Sequence, residues 1–87
     1  MQKNNPLALD DRGTVYLKMN KIDAAIADYN AALAINPRIE SSLYGRGLAE
    51  FKNGDRGASQ RDIAAAKAID PDVANEFAEL GLPAPSF

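Results

Sequence analysis

Three groups of residues in this chain have types and spacings that could do chemistry. Adjacent carboxylates stand at Asp10-Asp11 and at Asp70-Pro71-Asp72, the arrangement that acid–base work or a hard cation would use. Ser41-Ser42 offers hydroxyls for nucleophilic attack, and Gly45-Arg46-Gly47 offers the small residues of a phosphate-cradling loop. Each lacks its complement. No Asp-x-Asp-x-Asp-Gly run exists for calcium, and the chain has no histidine to activate a serine. The glycines lack a third partner and a preceding strand, and no Gly-Lys-Ser/Thr follows. The carboxylates therefore read as helix caps and solvated charge, and Asn53-Gly54 reads as a turn. No catalytic residue, no metal ligand and no cofactor is expected, and an enzyme is the least supported class.

Composition narrows the classes further. The 87 residues carry ten basic and twelve acidic side chains, a net charge of −2, which argues against a phosphate-driven nucleic-acid binder. Arg56, Arg61 and Lys67 have no flanking aromatics and read as a solvated face. The 46% hydrophobic and 25% charged fractions are those of an ordinary folded, soluble domain. The longest apolar runs, such as Ala31 to Ile35, are far too short to enter a bilayer as a span. Met1 to Pro6 contains no apolar stretch of the kind a secretory leader needs. The compartment stays open between cytoplasmic and, for a chain cut from a longer exported protein, periplasmic. Without cysteine there is no disulfide, so apolar packing, repetition or a partner must hold the chain together.

The elements that must position these residues come from a repeat. Laid against itself at an offset of 34, the chain matches without a gap. Leu9/Leu43, Arg12/Arg46, Gly13/Gly47, Lys18/Lys52, Ala24/Ala58, Asp28/Asp62, Ala31/Ala65, Ala32/Ala66, Ala34/Ala68, Ile35/Ile69 and Pro37/Pro71 are identical. Each repeat reads as two helices. Leu9, Gly13, Tyr16 and Leu17 share one helical face, opened by Asn5-Pro6 and broken at Met19-Asn20-Lys21. Ile22, Ala25, Ile26, Tyr29, Ala32 and Leu33 form a second stripe that Asn36-Pro37 ends. In the second repeat, Leu43, Gly47 and Phe51 precede the turn Asn53-Gly54-Asp55, with Asp55 as the expected cap. Ile63, Ala66 and Ile69 follow, up to Asp70-Pro71. A further helix is expected over 72–80, capped by Asp72 and stopped by Leu82-Pro83-Ala84-Pro85. No segment alternates with period two long enough to be a strand, so the chain is all-α.

A 34-residue helix–turn–helix unit with this placement of Gly, Ala and Pro resembles the tetratricopeptide repeat. In the first repeat the signature positions are Leu9, Arg12, Gly13, Tyr16, Ala25, Tyr29, Ala32 and Pro37. In the second they are Leu43, Arg46, Gly47, Glu50, Ser59, Ile63, Ala66 and Pro71, where Gly47, Ala66 and Pro71 match outright. Arg-Gly in place of Leu-Gly looks like many bacterial members. The resemblance covers about residues 6–81. It divides the chain into an N-terminal extension (1–5), two repeats (6–39 and 40–73), a capping helix (72–81) and a Pro-rich tail (82–87).

The resemblance implies a right-handed stack of antiparallel hairpins, a non-enzymatic protein-interaction scaffold, and a concave groove lined by the first helix of each hairpin. The groove positions read Asp10, Thr14, Leu17 and Lys18, then Ser41, Tyr44, Gly45, Leu48, Phe51 and Lys52, then Asn75, Ala78 and Glu79. Leu17, Tyr44, Leu48 and Phe51 are large and apolar. They imply either packing between adjacent helices or a surface for a peptide or for a second copy of the chain. Family members that clamp the carboxylate of a chaperone tail use cations at these positions. This chain has none at the equivalents Asp10, Thr14, Gly45, Asn75 and Glu79, so such a tail is not an expected partner. The stripe Ala24, Ala27, Ala31 and Ala34 reads as an outer face filled with the best helix former, with a subunit contact as the alternative. Two repeats are fewer than a solenoid usually needs, which raises homodimerisation as the rival to peptide binding. The tail is expected either to be a free end or to dock Phe87 into a neighbouring chain.

Overall fold

The computed structural model describes residues 5–87. It contains five helices: α1 (Pro6–Lys18), α2 (Ile22–Ile35), α3 (Glu40–Lys52), α4 (Arg56–Ile69) and α5 (Val73–Glu79). No strand occurs among the described residues. The expected N-terminal extension and the leader reading fall mostly on residues 1–4, outside the described residues.

Local chemistry sets the boundaries. Asn5 caps α1, its Oδ1 accepting from the Leu7 and Ala8 amides at 3.0 and 3.2 Å, with Pro6 at the first helical position. Asp55 caps α4 by accepting from the Ala58 amide at 3.1 Å. The hairpin turns reverse through left-handed residues at equivalent positions, Asn20 at φ 61° and Gly54 at φ 85°. The inter-repeat turns are also equivalent. Asn36 Oδ1 accepts from the Arg38 amide at 3.1 Å, and Asp70 Oδ1 accepts from the Asp72 amide at 3.0 Å. This corrects one expectation. Asp72 precedes α5 but its side chain accepts from no backbone amide; it meets the Asn75 side chain instead, and Asp70 organises the turn.

α1 packs on α2 and α3 packs on α4, while α2 also packs on α3, so the two hairpins stack in sequence. α3 additionally meets α1, and α5 closes the stack by lying on α3 and α4. The core runs through Leu17, Ala25, Tyr29, Ala32 and Leu33 into Leu43, Tyr44, Leu48, Ala49, Ile63 and Ala66, and ends at Val73, Phe77 and Leu82. Close approach needs Gly at two hairpin positions: a Cβ on Gly13 would lie 2.9 Å from the Tyr29 ring, and one on Gly47 would lie 2.7 Å from Ile63. Tyr29 also crosses into the next hairpin, where a Cβ on Gly45 would overlap its hydroxyl. Gly45 was expected in the groove. It is buried under Tyr29 instead.

Candidate peptide-binding groove

Most polar chemistry in the molecule joins helices. Asp10, one of the paired carboxylates, is buried rather than solvated and caps nothing. Its oxygens accept from Ser41 Oγ at 2.8 Å and Ser42 Oγ at 2.6 Å, tying α1 to the start of α3. Burial raises its carboxyl above the usual range against the pull of those two hydroxyls. Ser41 and Ser42 are thus donors to a carboxylate, and no nucleophile is organised there. Thr14 Oγ1 donates to the Asp10 carbonyl at 3.2 Å and meets the Tyr29 hydroxyl at 2.7 Å. Burial pushes the Tyr29 phenol upward.

Two ion pairs repeat with the frame. Arg12 binds both oxygens of Asp28 at 2.7 and 2.9 Å, and Arg46 binds both oxygens of Asp62 at 2.7 and 3.0 Å. Arg46 also donates to Asn30 Oδ1 at 2.9 Å, linking the second hairpin back to the first. The signal for both pairs was in the sequence, since Arg12/Arg46 and Asp28/Asp62 recur at the same offset. Beside Asp62 sits Glu50, whose Oε1 is buried with no hydrogen-bond partner. Burial, reinforced by the neighbouring Asp62, pushes the Glu50 carboxyl up to about 8. For Asp62 burial opposes ionisation, but hydrogen bonds from Arg46 and Glu50 outweigh it and hold its carboxyl low. The neighbouring carboxyls are thus pushed in opposite directions, Glu50 toward its acid form by burial and Asp62 toward its ionised form by Arg46.

The expected groove residues divide. Leu17 (2% exposed), Tyr44 (0%) and Leu48 (4%) are spent in the core, with the Tyr44 ring 4.9 Å from Phe77 of α5. They form no open apolar wall, because α5 and the inter-helix contacts cover them. Asp10 is buried and Thr14 half-buried; Lys18 and Lys52 are exposed, and Phe51 is half-buried. Of the α5 positions, Asn75, Ala78 and Glu79 are all exposed.

What remains open is a cleft of about 450 Å³ along α1 and α5, with Asp10 and Ser41 at its base. α1 and α5 do not pack on one another, and Ser41 of α3 completes the lining. Val15 and Leu80 are the exposed apolar residues, Phe77 lies beneath, and Asp11, Glu76 and Lys18 supply charge. Val15, Asp11, Glu76 and Leu80 were not among the expected groove residues. Their signal is exposure, which follows from how α5 is set against α1 and is invisible in periodicity.

A family model described as TPR repeat matches residues 3–54. The chain belongs to the tetratricopeptide repeat family. Five helices fit two repeats of that family and a capping helix. Repeats of this family generally mediate protein–protein interaction and are typically not enzymes. The chain is also similar to a FAM10 family protein of Arabidopsis thaliana, 40% identical over 62 residues, which are 71% of this chain and 14% of that protein. The chain thus corresponds to about one seventh of that protein's length. That relative is from a plant, so it lends nothing to the bacterial origin expected from Arg-Gly. No solved structure matches the chain. Among the described residues no helix is long and apolar enough to cross a membrane, and no cluster of His, Cys, Asp and Glu could hold a metal ion.

Proposed function

We propose that this tetratricopeptide unit is a protein-interaction module that takes a peptide in the cleft between α1 and α5. The supporting observation is the cleft itself: exposed Val15 and Leu80 above Phe77, with Asp11 and Glu76 on its walls. Apolar contacts supply affinity and the carboxylates favour a peptide carrying a basic residue. The same carboxylates disfavour an acidic chaperone tail, and Lys18 is too isolated to clamp a terminal carboxylate.

Peptides enriched from a random display library against this chain test the proposal. Selected peptides bind, and Val15→Arg or Leu80→Arg weakens them at least about tenfold, the loss expected when a buried apolar anchor is replaced by an unpaired charge. Both residues are exposed, so the fold survives and the melting temperature is the control. Selected peptides that keep their affinity in both variants would place binding elsewhere. A melting temperature that rises with protein concentration would assign the face to a second copy of the chain.

A further inference from the structure

Within the single chain the tail folds back on α3 rather than standing free. Leu82 is buried, and its amide donates to the Phe77 carbonyl at 3.0 Å, so the chain turns back as soon as α5 ends. Residues 83–87 then run without helix or strand beside the C-terminal end of α3. Residues 81–86 together with Leu48, Phe51 and Lys52 line an open space of about 520 Å³ that shares no residue with the α1/α5 cleft. Phe87 meets Phe51 of the same chain edge-on, ring centroids 5.3 Å apart. Arg56 is bonded to both ends of this contact: its guanidinium stands 5.4 Å from the Phe51 ring centroid and donates to the Ser86 carbonyl at 3.2 Å.

This arrangement has the parts of a peptide complex. The receptor side offers an aromatic face, an apolar residue and a cation that reads a backbone carbonyl. The ligand side is an extended apolar segment with prolines at alternate positions, which loses little conformational entropy on docking. The contact is weak where it ends, since Phe87 is still 53% exposed. Only Leu82 is anchored by burial, so the five residues beyond it can leave without disturbing α5.

We propose that Leu48, Phe51, Lys52 and Arg56 form a second peptide site, beyond the α1/α5 cleft, whose ligand class is an extended proline-spaced apolar segment carrying an aromatic residue. Pro83–Phe87 is the chain's own occupant, and a partner segment of that chemistry displaces it. A tether this short gives the tail a millimolar effective concentration, so a partner must outcompete it or bind when the tail is lifted.

The test titrates the amidated hexapeptide Leu-Pro-Ala-Pro-Ser-Phe, carrying an N-terminal fluorophore, into the intact chain. Phe87→Ala weakens the resident segment, and the hexapeptide binds this variant about threefold to tenfold more tightly than wild type, the range an aromatic pair supports. Adding Phe51→Leu to Phe87→Ala removes that gain, with Arg56→Gln as a second way to remove it should Phe51→Leu lower the melting temperature. Equal affinity for wild type and Phe87→Ala, retention of the gain in both double variants, or absence of saturable binding at millimolar peptide would overturn the proposal. Display-selected peptides that depend on Val15 and Leu80 while the hexapeptide fails would overturn this site and leave the cleft reading standing.

Discussion

At the scale of single residues, the buried polar groups of this chain mostly join helices, and Glu50 is the one whose carboxyl burial raises furthest. Glu50 has a folded-state carboxyl at about 8 against an ordinary value of 4.5. A group whose acid form is favoured by folding makes the folded state bind more protons than the unfolded state between those two values. The stability it contributes is therefore fully present below about 4.5 and lost as pH rises through about 8. Asp62 runs the other way, its contribution present above its ordinary 3.8 and lost as pH falls further. Between pH 5 and 9 Glu50 sets the difference, so Glu50→Gln, a neutral isostere, flattens the fall in urea midpoint that wild type shows over that interval. Equal slopes in the two proteins would contradict the raised Glu50 carboxyl. Asp10, also raised by burial, adds to the wild-type slope but remains in the variant and cancels in the comparison.

At the scale of elements, each hairpin is clasped by the same Arg–Asp pair in different surroundings. Arg12 leaves 60% of its side chain in water and Arg46 only 25%. Exposed pairs contribute little, whereas removing one partner of a half-buried bidentate pair strands the other. Arg46→Ala costs on the order of 1–3 kcal/mol by chemical denaturation, and more above pH 8, where Asp62 and Glu50 would both be ionised with only Arg61 nearby. Arg12→Ala loses an exposed cation but strands Asp28, whose side chain is only 9% exposed, so its cost falls in the same range. A loss below about 0.5 kcal/mol for Arg12→Ala would show that Asp28 is held without its arginine. The hairpins, their caps and the clasps were legible because all depend on neighbours at fixed short spacings. Asn5-Pro6 and Asp55 announce helix starts, and Arg12 and Asp28 recur as Arg46 and Asp62. The link from Asp10 to Ser41 and Ser42 was not legible, because residues 31 and 32 positions apart meet only once the packing of α1 on α3 is fixed. For the same reason the cover that Phe77 of α5 gives Tyr44 was not legible.

At the scale of the whole molecule, α5 is the part on which completeness depends. It is short, yet Phe77 and Val73 seal the face of α3 that the second hairpin would otherwise present to water. Phe77→Ala removes the ring against Tyr44 and costs about 3–5 kcal/mol, the range for deleting a buried aromatic. Read by thermal melting, that loss threatens the fold of so small a chain. A loss below about 1 kcal/mol would mean that α5 is an appendage and that the two hairpins stand alone. The course of the tail was hidden at this scale too. Leu82-Pro83-Ala84-Pro85 marks a helix stop, but the direction taken afterwards depends on where α5 delivers the chain.

Tyr29 carries a consequence for how such a unit can be copied or redesigned. Its ring lies against Gly13 of its own hairpin, and its hydroxyl fills the space at Gly45 of the next. Ile63 holds the same place in the second repeat and lies against Gly47. The position corresponding to Gly45 is then Glu79, exposed on α5. The demand for glycine thus passes downstream from the residue that precedes it: a long aromatic at 29 dictates a glycine at 45, and a shorter isoleucine at 63 leaves 79 unrestricted. The two repeats are consequently not interchangeable parts. A copy of the first inserted after the second would set a tyrosine, rather than Ile63, ahead of α5 and would need a glycine at the position Glu79 now holds, so the three positions of this lock are inherited, or engineered, together.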